Sequence, residues 1–174
     1  MSEVSGFCDE RFEQLGALFE RNQKLGVDEG ASLAATLDGE FVVDLWAGTS
    51  DRKRTRPWEA DTLVNVFSTS KVMVNIALLM LYDRGLLDLD APIADYWPEF
   101  AQNGKGTITC RQVLVHRSGL PGFGRSFGFE EIHDWDTVIC VVERAEPWYE
   151  PGTEAYYHPH TYGYMLGEVV RRVS

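Results

Sequence analysis

Apolar residues at Phe12, Leu15, Leu18 and Phe19 recur at helical spacing within residues 7–25, and Gly26 follows as a stop, so this stretch is predicted to be a helix. Two runs rich in apolar and β-branched residues, 32–37 and 40–48, flank Asp38-Gly39, a dipeptide that favours a tight hairpin turn. The chain is therefore expected to open helix, strand, strand. Residues 64–67 read as a short strand entering a turn. Val72, Ile76, Leu79 and Met80 then return at helical spacing until Gly85, which predicts a helix over 71–84. Beyond it a turn-like piece at 91–96 and helices over 110–116, 135–144 and 162–172 alternate with Pro and Gly punctuation, notably Gly119-Leu-Pro-Gly122 and Pro151-Gly152.

This pattern divides the chain into residues 1–60, with an N-terminal helix and the first sheet strands, and residues 61–174, a mostly helical region. Two strands do not make an independently stable sheet, and the last predicted helix runs into Arg171-Arg172-Val173-Ser174 without a glycine stop. The expected fold is α/β, an antiparallel sheet portion plus a mostly helical region, incomplete without a further C-terminal half or a second polypeptide.

With 174 residues and 44% apolar content the chain matches a globular domain or a piece of a larger one. The longest apolar stretch, 72–82, is far short of the ~20 residues that a membrane helix needs, so no membrane contact is expected. The first residues lack the basic and apolar regions of a secretory signal, which predicts a cytoplasmic protein. Cys8, Cys110 and Cys140 are widely spaced with no Cys-x-x-Cys pair, and they read as reduced, packed thiols. A net charge of −11 argues against nucleic acid as a partner. The one basic run, Arg52-Lys53-Arg54-Thr55-Arg56, lies between Asp51 and Glu59 and reads as a solvated turn.

Chemistry enters at Phe67-Ser68-Thr69-Ser70-Lys71. In a helix Ser68 and Lys71 share one face, so the amine reaches the hydroxyl at the positive end of the helix dipole. A serine alcohol needs such a neighbouring base to become a nucleophile. The same tetrapeptide also arises from helix capping beside a solvated lysine, so the context decides.

That context resembles the superfamily of serine β-lactamases, penicillin-binding proteins and family VIII carboxylesterases. The resemblance runs through Phe67-Ser-Thr-Ser-Lys71, Tyr82-Asp-Arg-Gly-Leu-Leu-Asp-Leu-Asp-Ala-Pro-Ile93, Ile108-Thr-Cys-Arg-Gln-Val-Leu-Val-His-Arg-Ser-Gly-Leu-Pro121, Pro151-Gly-Thr153 and Tyr157-His158. It looks closest to the carboxylesterases, because Tyr157-His158-Pro159 stands where β-lactamases usually show Tyr-x-Asn. The likeness implies hydrolysis of a small-molecule carboxylic ester through an acyl-enzyme on Ser68. Lys71 and Tyr157 are then proton-transfer partners, and Tyr156 is the neighbouring alternative to Tyr157.

Bringing a phenol from ~10 to ~7 needs about 4 kcal/mol at roughly 1.36 kcal/mol per unit. An ammonium about 4 Å away supplies energy of that order at an effective dielectric near 20. Burial of Lys71 would instead make the amine the base, and the choice between the two stays open. The backbone N–H of Ser68 is one implied oxyanion donor. The second, on a late strand of the family, is not found in these residues.

Other signals read as the cleft around this centre. Gly124-Arg125-Ser126-Phe127-Gly128 spells a nucleophile elbow, but a turn precedes it where a strand is required, so Ser126 and Phe127 are assigned to a loop lining the cleft. Trp148, bracketed by Pro147 and Pro151, is placed at the rim. His158 is given a structural or substrate-edge role beside Tyr157, where it is positioned to tune that phenol, and His116 reads as a capping or packing residue. His158 and His160 lack a third ligand, so no metal and no other cofactor is implied. The alternatives are a β-lactam or peptide amide hydrolase of the same fold, and a non-catalytic binding or scaffold protein.

Overall fold

The computed structural model describes residues 3–174. The chain divides into two compact units, one reaching Asn65 and one running from Val66 to Ser174.

The first unit contains β1 (Ser5–Cys8), a 3-10 turn (Glu10–Phe12), α1 (Glu13–Leu25), β2 (Gly30–Leu37) and β3 (Glu40–Gly48). All pairing is antiparallel in the order β1-β3-β2. The chain thus opens with a strand, because Phe7 and Cys8 pair with Asp44 and Val43. The Asp9 side chain then accepts from the Arg11 N–H and starts a new turn, so the helical period begins only after it. Asp38 and Gly39 both adopt positive φ, 52° and 87°, as a two-residue hairpin turn matched to strand twist requires. β3 is the central strand and carries most of this unit's core. Val43, Leu45 and Ala47 are buried in a cluster with Phe19 of α1.

The second unit begins with a 3-10 turn (Phe67–Ser70) and continues through α2 (Lys71–Asp83), α3 (Cys110–Leu114), α4 (Phe129–His133), α5 (Trp135–Arg144) and α6 (Thr161–Val173). No strand forms at 64–67. Phe67 instead takes a φ of 46°, which bends the chain sharply into the turn. α3 starts with a reciprocal cap in which Thr109 Oγ1 accepts from the Gln112 N–H and Gln112 Oε1 accepts from the Thr109 N–H. α4 was not expected. It buries no residue, so it shows no apolar stripe that a periodicity reading could find.

Val138 and Val142 of α5 and Tyr162, Leu166 and Val169 of α6 pack with fully buried Trp97 and Phe100. Each such side chain contributes about 1.5–3 kcal/mol of burial. Inside this unit the Lys105 side chain is also fully buried. Its ammonium donates to the carbonyls of Gln102 (2.8 Å), Glu143 (2.9 Å) and Ala145 (2.6 Å), which uses all three of its N–H donors. Burial pulls its pKa down to about 8 against the opposing charges of Glu143 and Glu146. Among the described residues no helix is long and apolar enough to cross a membrane.

Candidate active site

Ser68 lies in the 3-10 turn and Lys71 begins α2. In 3-10 geometry side chains three apart eclipse one another, which aligns these two more closely than an α-helix would. Lys71 Nζ donates to Ser68 Oγ at 3.2 Å and to the Pro159 carbonyl at 2.9 Å. It also lies 4.8 Å from the centroid of the Tyr157 ring and 5.6 Å from that of Tyr162. Hydrogen bonding to Ser68, then to Lys71, holds the Tyr157 phenol below its ordinary range against a smaller desolvation effect, and the Lys71 charge adds least. Ser68 and Tyr157 are exposed, so the group is open to a reactant. The structure therefore brings Ser68, Lys71 and Tyr157 together. The Tyr156 phenol behaves in the opposite way, because a hydrogen bond with Glu154 and the charge of that carboxylate raise its pKa.

The segment carrying Tyr157 is held from the interior of its unit. His158 is fully buried, and its Nδ1 lies 2.5 Å from the Tyr156 carbonyl. A carbonyl accepts only, so Nδ1 carries the proton and Nε2 accepts from the Ser118 hydroxyl at 2.6 Å. Ser118 Oγ in turn accepts from the Leu120 N–H. Burial lowers the pKa of His158, consistent with this neutral ring. The sequence reading allowed His158 a place at the substrate edge. Its ring instead faces the interior, because successive side chains of an extended segment point to opposite sides and Tyr157 takes the open one.

The remaining expected residues lie on or against the loop that follows Gly119. Trp148 is exposed and packs so closely on Gly122 that a Cβ there would lie 2.9 Å from its ring. Phe127 is half-buried, edge-on to Phe123, with the Arg125 guanidinium 4.5 Å over its ring. Ser126 is exposed in irregular chain with no strand before it, so the elbow geometry that its pentapeptide would need is absent.

Three contributors escaped the sequence reading. Pro159 supplies a carbonyl to Lys71. Ser118 anchors His158. Asn75 of α2 accepts from the Tyr162 hydroxyl of α6, and its position one helical turn after Lys71 was the available signal. Among the described residues no three His, Cys, Asp or Glu side chains converge to hold a metal. Chemically, an alcohol beside an ammonium and a phenol of depressed pKa can pass its proton to that group's phenolate form and attack an electrophile.

Known proteins resemble this chain in sequence and in fold. The Beta-lactamase family model matches residues 17–174. The chain is 40% identical over 145 residues to Esterase/beta-lactamase LipL of Mycobacterium tuberculosis, covering 83% of this chain and 33% of that protein. It superposes on a family VIII carboxylesterase crystal structure with a TM-score of 0.92 at 42% identity, covering 98% of this chain and 46% of that one. A penicillin-binding protein homologue from Caulobacter crescentus gives a TM-score of 0.91 at 41% identity, covering 98% and 46%. The chain thus spans about a third of the length of that curated relative and under half of the solved chains. With its three antiparallel strands followed by helices, the chain belongs to the Beta-lactamase family, whose members include esterases and β-lactamase-like serine hydrolases.

Proposed function

We propose that these residues carry the nucleophile and proton-transfer part of a serine esterase site. Ser68 Oγ attacks the ester carbonyl while its proton passes to the phenolate form of Tyr157, which becomes the phenol. The tetrahedral oxyanion collapses to an acyl-enzyme, and Tyr157 returns the proton to the departing alkoxide. Water then repeats the sequence and frees the acid and Ser68. The observation that carries this reading is the contact of Lys71 Nζ with Ser68 Oγ at 3.2 Å beside a Tyr157 phenol of lowered pKa. Lys71 acts as the ammonium in this scheme, donating to Ser68 and to the Pro159 carbonyl. Ser126 and Phe127, with Trp148, form the rim that meets the substrate.

The Ser68 N–H sits in the first turn, where backbone donors have no carbonyl one turn earlier, and it serves as one oxyanion donor. The second donor belongs to the part of the relatives' fold outside these residues, supplied by a C-terminal half or a second polypeptide. Incubation with a fluorophosphonate probe and a p-nitrophenyl ester tests the proposal. Labelling at Ser68, abolished by Ser68→Ala and kept by Ser126→Ala, supports it, whereas a folded protein that resists the probe favours a binding or scaffold role. The LipL relative is named both esterase and β-lactamase, so β-lactam hydrolysis is the second reading. Turnover of a chromogenic cephalosporin faster than of the ester would put it first.

A further inference from the structure

We infer that His116 is the positioning residue for Tyr157, holding the backbone on both sides of the tyrosine so that its phenol meets Ser68 and Lys71. The His116 carbonyl accepts from the Tyr156 N–H at 3.1 Å, and His116 Nδ1 accepts from the His158 N–H at 3.1 Å. A single residue thus takes the amides flanking Tyr157, one with its main chain and one with its ring. The ring also packs at a tilt against Tyr157 (4.8 Å between centroids) and Tyr162 (5.0 Å). This double grip requires His116 to sit at a φ of 61°, an uncommon region for a residue with a Cβ that costs on the order of 1–3 kcal/mol. Segment 116–119 is further locked to the tyrosine loop. The Arg117 carbonyl accepts from Gly152, the Gly119 carbonyl accepts from Trp148, and Arg117 donates to the Thr153 carbonyl.

The grip works only with a neutral ring. A proton on Nδ1 would turn its acceptor into a donor aimed at the His158 N–H and set a second cation near Lys71. The groups facing this ring are Lys71 from α2, Tyr157 and His158 from the loop, and Tyr162 from α6, with the Tyr149 hydroxyl on the His116 carbonyl. Burial and then the Lys71 charge lower the His116 pKa.

The inference rests on the catalytic reading of Tyr157 but can be tested apart from it. His116→Gly and His116→Asn both accept a positive φ and keep the carbonyl, and only Asn restores a side-chain acceptor. Two quantities are measured in each: the phenol titration of Tyr157, taken by ultraviolet difference against Tyr157→Phe, and the rate of fluorophosphonate labelling of Ser68. The Gly variant is expected to return Tyr157 to its ordinary range and slow labelling on the order of 100-fold, as misplacement by about an ångström does. The Asn variant is expected to restore both. A Gly variant that matches the wild type, or an Asn variant no better than Gly, overturns the inference. If the wild type never labels, the esterase proposal fails, and the Tyr157 titration alone still decides for or against His116.

Discussion

The Lys71 ammonium donates to the Pro159 carbonyl at 2.9 Å, joining the start of α2 to a loop 88 residues later in the chain. The same nitrogen reaches Ser68 and the face of Tyr157, so one cation fixes the spacing of the three groups that the proposed chemistry uses.

Replacing Lys71 with Met removes the donor to Ser68, the donor to Pro159 and the charge beside Tyr157. The Tyr157 phenol is expected to titrate higher than in the wild type. Ester turnover should fall on the order of 10²–10⁴-fold, the range for impaired proton transfer, because Tyr157 loses the cation that holds it ready to take the Ser68 proton. Steady-state rates on a p-nitrophenyl ester, paired with absorbance titration, check both outcomes.

Acid should weaken the fold before the carboxylates titrate. His116 and His158 have folded pKa values below the ordinary 6.5, so the unfolded chain binds more protons as pH falls below that value. Their stabilising contribution is present above 6.5 and is lost as pH falls toward the lowered folded values. The lowered carboxylates Asp9, Asp51, Asp90 and Glu99 start from 3.8 or 4.5, below that window. Urea midpoints measured from neutral pH down to about 5, where histidines carry most of the change in charge, should decline in the wild type and decline less in His158→Gln.

Lys105→Met keeps the stem of the side chain but leaves the Gln102, Glu143 and Ala145 carbonyls without their donor. Unsatisfied buried acceptors cost about 1–3 kcal/mol each, partly offset by no longer burying a charge, so a net loss of about 2–4 kcal/mol is expected. Denaturant unfolding measures it, and an unchanged midpoint would contradict the carbonyl cage.

Gly119→Ala tests the loop against which the tyrosine segment is set. Gly119 has a φ of 81°, and an added Cβ would lie 2.6 Å from the Tyr149 carbonyl oxygen and 3.0 Å from Pro147. The strain should exceed about 1 kcal/mol. It should also disturb Trp148, whose N–H donates to the Gly119 carbonyl at 2.8 Å. Thermal unfolding and tryptophan fluorescence report the two effects.

Local chemistry explains what the sequence allowed to be read. The hairpin was legible because Asp38-Gly39 encodes its own turn, and α5 because Val138, Val142 and their neighbours recur with a clean period. β1 was hidden, since four residues with no buried member carry no alternation and owe their strand state to pairing with β3. At the site, Ser68 and Lys71 were legible because their relation is local. The roles of His116, Ser118 and Pro159 depend on loops meeting across 40 or more residues, as between Ser118 and His158, and no spacing rule reports that.

Along 156–158 the chain is anchored inward by one imidazole and offers its neighbouring phenol outward. A reactive group mounted this way owes its aim to the hydrophobic interior rather than to whatever lands on it. Residues around the opening, such as Trp148 and Phe127, are then free to diverge without disarming the centre. On the proposed esterase reading, that separation between a fixed engine and an editable doorway would let one scaffold meet differently shaped acyl groups.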